Sequence, residues 1–480
     1  MLTRSDHDRI SLLDATDQAA LVRTGEITTA ELVSSTIERI EQLNPTLNAV
    51  ITPAYQQAMD AVSAGLPEGP FTGVPYLLKD LVVEAAGLRF CEGSSFLKDN
   101  ISTVDSELVV RLRRAGLVIL GKTNTCEFGM TPTVENALFG TTRNPWNLDH
   151  TTGGSSGGSA SAVASGMVPM AHGNDLGGSI RIPASSCGLF GFKPGRGRNP
   201  LGPLYGDAIN GLAVEHALTW SVRDSAALLD ATSGPALGDP YPAPAAHRPF
   251  AEEVARAPGR LRIAFSTVPA GGRPLHPECR VAVEGAARLC EELGHDVFER
   301  DLTELTPDVG DAIGVAYGVA VGWIVQYWAR HLGREPEPGD LEPFTEALYE
   351  HGKRVSGADY LLAVTDLQAF ARRVAAAFEE FDVWLWPTTA QPSPRLGAMV
   401  GTPEQPWAGD DVAGDFIAFP LITANITGNP AMSVPLHMSE AGLPIGAHFM
   451  GRFGDEATLF RLAGQLERAR PWAGRRPPVS

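Results

Sequence analysis

The 480-residue sequence predicts an α/β fold, and two observations carry that reading. Apolar residues at helical spacing alternate along the chain with short strand-like apolar runs, the pattern of helices packed on a sheet. Hydrophobic residues make up 44% of the chain and charged ones 20%, which supplies apolar mass for a large core.

Thr28-x-x-Glu31 is a capping box that opens a helix with the apolar face Leu32, Val33, Ile37, Ile40 and Leu43. Asn44-Pro45 is expected to end it, because a proline disfavours helical backbone in the residue before it. Ser106 to Ala115 reads as a second helix, followed by the strand Leu117–Leu120. Further on come a strand Arg262–Phe265, a helix from about Pro277 to Leu293 and a strand near Asp296–Phe298. A helix from about Ala358 to Phe378 then feeds the strand Val383–Trp386, closed by Pro387, and the last helix spans about Asp455 to Ala469. Residues 236–249, rich in Pro and Ala, read as a surface loop. Residues 140–212 are dense in Gly, Ser and Pro and poor in periodicity, which reads as long functional loop.

The formal charge of −18 makes the surface repel nucleic acid and anionic membrane. Five cysteines at irregular spacing, with no CxxC, predict reduced thiols; Cys279 and Cys290, about three helical turns apart, should share a buried face. The first eight residues lack the apolar core of a signal peptide. The longest apolar run, Ala312–Val325, is too short to span a bilayer and predicts a buried helix. A soluble, cytoplasmic protein is therefore expected.

Gly153-Gly-Ser-Ser-Gly-Gly-Ser159 and Asn174-Asp-Leu-Gly-Gly-Ser-Ile-Arg181 concentrate the candidate chemistry. Glycines at this density let main-chain N–H groups approach a ligand closely. The first segment admits several readings. Gly153-x-Ser155-x-Gly157 fits the nucleophile elbow, which needs an apolar strand before it where Asn147-Leu-Asp-His-Thr-Thr152 stands. A phosphate-cradling loop lacks its Gly-Lys-Ser/Thr ending, and a flexible linker fits poorly between ordered flanks.

Lys79 bears on this choice. Only Lys79, Lys98, Lys122, Lys193 and Lys353 break an otherwise arginine-based cationic set. Lys79 sits in the apolar run Val74–Val83, where desolvation favours the neutral amine. Moving a lysine from ~10.4 to roughly 7–8 costs about 3–5 kcal/mol. The alternative is a lysine paired with the adjacent Asp80, or snorkelling from an edge.

Leu77-Leu-Lys-Asp80, Gly121-Lys-Thr-Asn124, Thr152–Ser159, Asp175–Arg181, Gly191-Phe-Lys-Pro194, Gly428–Pro435, Gly442–Gly446 and Pro471-Trp472, in this order, resemble the amidase signature family over nearly the whole chain. Gly173–Cys187 and Gly211–Thr219 are similar to the branch that includes nylon-oligomer cyclic-dimer hydrolases and allied broad-specificity amidases. The resemblance implies one large domain with a central twisted mixed sheet covered on both faces by helices. Its N-terminal helices would occupy about 10–65, the signature core about 70–235 and the C-terminal half about 255–480. It implies Ser179 as nucleophile, Ser155 as bridging serine after a cis peptide bond, and Lys79 as general base. The backbone N–H groups of Leu176, Gly177, Gly178 and Ser179 would form the oxyanion hole.

No metal or cofactor is called for, and a homodimer is allowed. Asp175–Arg181 is expected to be a bracing ion pair, His172 structural, and Asn174, where many relatives carry threonine, without catalytic role. Met130, Tyr205, Trp323 and Tyr327 are candidate pocket residues; with Trp328, the last two also fit a core stripe. The expected activity is hydrolysis of linear amides, extending to aryl esters and carbamates. The alternatives are the glutamine-hydrolysing subunit of a tRNA-dependent amidotransferase, with partner subunits, and a non-catalytic binding protein.

Overall fold

In a computed structural model the strand-like runs join one mixed eleven-stranded sheet; the structure describes residues 4–301, 310–419 and 421–480. The strands in chain order are β1 (Val50–Pro53), β2 (Pro75–Lys79), β3 (Val118–Thr123), β4 (Met170–Asp175), β5 (Phe190–Lys193) and β6 (Val214–Thr219). They continue with β7 (Arg262–Phe265), β8 (Asp296–Glu299), β9 (Val383–Pro387), β10 (Ala431–Met438) and β11 (Pro444–Met450). Their order across the sheet is β1-β3-β2-β4-β6-β5-β10-β11-β9-β7-β8. β2 runs parallel to both β3 and β4, and β7 parallel to β8 and β9; the remaining pairs are antiparallel.

Side chains of a strand alternate between faces, so one strand feeds two cores. In β9, Val383 and Leu385 pack with the helices Pro277–Glu292 and Glu456–Ala469, while Trp384 and Trp386 pack with Gly357–Ala377. In β2, Leu77 enters the core made by Thr29–Leu47 and Gly157–Ala164, and Tyr76 and Leu78 enter the one made by Glu107–Arg114. Each fully buried aliphatic or aromatic side chain contributes about 1.5–3 kcal/mol of transfer free energy. Helices therefore cover both faces.

The capping box forms, with Thr28 and Glu31 exchanging side-chain and backbone hydrogen bonds. The helix does not stop at Asn44-Pro45; it runs to Leu47, with Asn48 left-handed at its cap. Pro45 falls in the last turn, where its missing N–H forfeits one bond, and Asn44 Oδ1 accepts from Ala49 and Val50 N–H (2.8 Å each) to turn the chain out. β3 runs past Leu120 to Thr123, because it is flanked by β1 and β2.

The larger correction concerns residues 140–212. They hold two central strands, β4 and β5, and the helices Gly157–Ala164 and Arg181–Cys187, nearly all buried. Elements buried all round have no apolar face to show, so periodicity is silent there. Asn147–Thr151 is a strand after all, but a peripheral one outside the large sheet, paired with Arg143–Asn144 and bridged through His150 to Arg395.

Residues 236–249 form no helix or strand. All five cysteines are free and buried, Cys279 and Cys290 together on Pro277–Glu292. The apolar run belongs to a longer helix than expected, Gly310–Leu332, whose 23 residues are by length and composition enough to cross a membrane. Half of its apolar window is buried, with Ala312, Ala316, Ala320, Ile324 and Trp328 along one stripe.

Candidate active site

Lys79 ends β2, two residues after Leu77 and on the same sheet face, beneath the helix Gly157–Ala164. That helix is built from Gly, Ser and Ala because it lies on the backbone: a Cβ on Gly158 would stand 2.5 Å from Asn124 N and O. Its close seating delivers Ser155, in the turn just before it, to Lys79. The Lys79 Nζ lies 2.7 Å from Ser155 Oγ and 2.5 Å from Asn174 Oδ1, and Lys79 is 0% exposed. Asn174 comes from β4, and its Nδ2 donates to Leu81 O (3.0 Å), which fixes the amide's orientation. Burial lowers the Lys79 ammonium to about 8, against the opposing fields of Cys126, Glu215 and Asp175.

The expected alternative, a Lys79–Asp80 pair, does not form. Asp80 faces Lys122 of β3 instead, Oδ1 to Nζ at 3.6 Å, and its Oδ2 accepts from Cys91 N–H (3.1 Å). Lys122 also donates to Val83 O (2.7 Å). Three of the five lysines, Lys79, Lys122 and Lys193, are fully buried.

Ser179 lies between β4 and the helix Arg181–Cys187, half-buried. Its loop is braced from below. Arg181 Nε and Nη2 donate to both oxygens of Asp175 (2.9 and 2.8 Å), and Arg181 also donates to Leu421 O and Asn425 Oδ1 (2.8 and 2.7 Å). The Arg181 charge holds the Asp175 carboxyl well below the usual range against its burial. Asp175 also accepts from Gly178 N–H (2.9 Å) and Ile180 N–H (3.1 Å). This corrects the oxyanion set: Gly178 N–H is committed to Asp175. Among the described residues the N–H groups of Leu176, Gly177 and Ser179 have no partner. The Gly154–Ser155 peptide is cis, as the resemblance implied.

His172 is fully buried, accepts from Lys79 N–H at Nδ1 (3.3 Å) and meets Glu215 through Nε2. Burial pushes it well below its usual range, so it is neutral scaffolding for β2. The sequence offered Asn174 as a change in local hydrogen bonding and not as a catalytic residue, and its side chain accepts from Lys79 itself. Tyr317 was missed altogether; its hydroxyl sits so close to the loop that a Cβ on Gly177 would be 2.5 Å from it. Its only signal was a lone tyrosine in an Ala/Gly/Val run.

A narrow cleft of about 70 Å³ contains Ser155, Asn174 and Ser179, and a more open one meets it at Ser179, Met130 and Tyr317. Met130, Tyr205 and Trp323, three of the candidate pocket residues, are among those lining the narrow cleft. Tyr327 is not: one helical turn beyond Trp323, it packs against Trp328 and stacks on His331. Glu92, which nothing in the sequence flagged, is a further lining residue.

Comparison with known proteins gives the family and the fold. The family model described as Amidase matches residues 31–460. The 6-aminohexanoate-cyclic-dimer hydrolase of Paenarthrobacter ureafaciens is 40% identical over 97% of this chain and 96% of its own. A solved 6-aminohexanoate cyclic dimer hydrolase complexed with substrate superposes with a TM-score of 0.94 at 38% identity, covering 98% of this chain and 99% of that one. A bacterial aryl acylamidase of the amidase signature family superposes at 0.87 with 30% identity, covering 97% and 99%.

Proposed function

The chain belongs to the amidase signature family, and on that premise we propose that it hydrolyses carbon–nitrogen bonds through an acyl-enzyme on Ser179. The observation that carries the reading is the Lys79–Ser155 contact of 2.7 Å, made by a buried lysine whose side-chain partners are neutral. With Asn174 Oδ1 accepting one N–H of the neutral amine, the nitrogen lone pair faces the Ser155 hydroxyl. Lys79 takes the Ser155 proton as Ser155 takes that of Ser179, and the Ser179 oxygen adds to the carbonyl carbon. The oxyanion is received by the N–H groups of Leu176, Gly177 and Ser179. The proton returns through Ser155 to the leaving nitrogen, the C–N bond breaks, and water repeats the sequence to release the acid.

The substrate range is proposed to include cyclic as well as linear amides, in keeping with the relatives' names, and to extend to aryl esters and carbamates, since the same carbonyl addition opens each. The amidotransferase-subunit alternative fits less well: free glutamine carries an ammonium and a carboxylate, and the narrow cleft has a mostly apolar wall. Its lining residues include no lysine or arginine to receive the glutamine carboxylate.

Ser179→Ala tests the proposal. Turnover of anilide, ester and urethane substrates should fall to background, and mass spectrometry of the wild type with a slow ester should find an acyl group on Ser179. Retained turnover in Ser179→Ala would overturn the assignment. Absence of urethane turnover at high enzyme concentration would remove carbamates from the range.

A further inference from the structure

The narrow cleft and the open one share four residues, Gly129, Met130, Ser179 and Tyr317. A substrate with its acyl part in one cleft and its amine part in the other lays its scissile bond across this junction. Besides Ser179, only Tyr317 brings a hydroxyl to it. Tyr317 stands on the helix Gly310–Leu332 and is half-buried, so part of it stays open to the clefts it lines. Its hydroxyl has no hydrogen-bond partner among the described residues. It lies against the nucleophile loop at Gly177, where a Cβ would meet it at 2.5 Å. A hydroxyl beside the reacting atoms, with its lone pairs unspent, is available to the substrate.

We propose that Tyr317 is a further catalytic residue, whose oxygen accepts the N–H of the scissile amide and so raises amide turnover relative to that of the matching ester. Once Ser179 has added, the carbonyl oxygen is held by main-chain N–H groups and the nitrogen becomes pyramidal. Its lone pair has to face Ser155 to receive the proton, which turns the N–H away from Ser155. An N–H left without an acceptor in this desolvated place would raise the barrier. Tyr317 supplies the acceptor. No proton passes to it: the N–H stays on the departing amine, Ser155 delivers the second proton to the lone pair, and the C–N bond breaks. Burial, and then the Asp175 carboxylate, push the phenol up, so the oxygen accepts as a neutral hydroxyl. An ester has no N–H at this point and draws nothing from Tyr317. The proposal deepens the reading above and rests on its acyl-enzyme at Ser179.

The experiment measures kcat/KM for three substrates that share one acyl group: an anilide, its N-methyl anilide and the phenyl ester. The full-length wild type is compared with Tyr317→Phe and with Tyr317→Leu. The anilide-to-ester ratio should fall about tenfold in each variant, the weight of one neutral hydrogen bond. The ratio of N-methyl anilide to ester should hold, since that amide has no N–H to lose. Equal losses on anilide and ester would make Tyr317 an oxyanion donor or a brace and overturn the proposal. So would a fall as large for the N-methyl anilide, an unmoved ratio in both variants, or a wild type that cleaves the ester and never the anilide. Retained turnover in Ser179→Ala would defeat the catalytic reading itself. An unmoved ratio in an enzyme that still needs Ser179 would defeat the Tyr317 assignment alone.

Discussion

Lys79 and Lys122 stand on adjacent strands, each fully buried, and differ in what surrounds them. Lys122 is given a carboxylate, Asp80, and backbone carbonyls, which suit an ammonium. Lys79 is given a hydroxyl and an amide, which suit either an ammonium or an amine. Burial disfavours the charge in both, but only at Lys79 is no carboxylate in contact to restore it. A buried lysine becomes a base when its partners are neutral, and a brace when one of them is an anion.

The largest way to break this contrast is to remove each lysine in turn. Lys79→Met should lower kcat about 10²–10⁴-fold, the usual weight of a general base. Its stability at pH 7 should nonetheless hold. The folded-state value of about 8 lies below the ordinary 10.5, so burying the charge costs about 3 kcal/mol below pH 8. That cost fades as pH rises to 10.5, so the wild type should gain on Lys79→Met between those limits in urea titrations. Lys122→Met should do the reverse. It strands the Asp80 carboxylate and should cost about 3–5 kcal/mol in urea unfolding, with a far smaller loss of kcat in the protein that remains folded.

A finer test converts one pocket into the other. The wild-type kcat/KM should rise with pH through about 8 as Lys79 loses its proton. Asn174→Asp places a carboxylate on Lys79, as Asp80 is placed on Lys122, and should move that limb upward by about 1–2 units. Activity at pH 7 would then fall about 10–100-fold and recover in alkali; an unmoved limb would show that another group sets it. The smallest effect is expected from Tyr317→Phe, which removes one hydroxyl beside the Gly177 loop and should change kcat/KM by about tenfold or less.

The long amphipathic helices were legible because each has one buried face and so a period, and the strands Arg262–Phe265 and Val383–Trp386 because they are short apolar runs. The short helix between the two Gly/Ser segments was also legible, but strands β4 and β5 were not, because they are buried on every side. Ser155, Ser179 and Lys79 could be located from motifs. Asn174 could not, since a side chain's contact with a lysine 95 positions away is not written locally. Glu92 and Tyr205 meet in one cleft only through the fold, and Tyr327 was misassigned because helical spacing does not say which turn of a helix the cleft reaches.

By itself the sequence determined the α/β alternation, the two Gly/Ser segments and the exceptional lysines. Only the tertiary structure decided which lysine would be left without a carboxylate. Asp80 is the neighbour of Lys79 in sequence, yet successive residues of a strand point to opposite faces. The β2–β3 register sets Lys122 beside Leu78, on the face where Asp80 projects. β4, lying on the other flank of β2, brings up Asn174 in place of an anion.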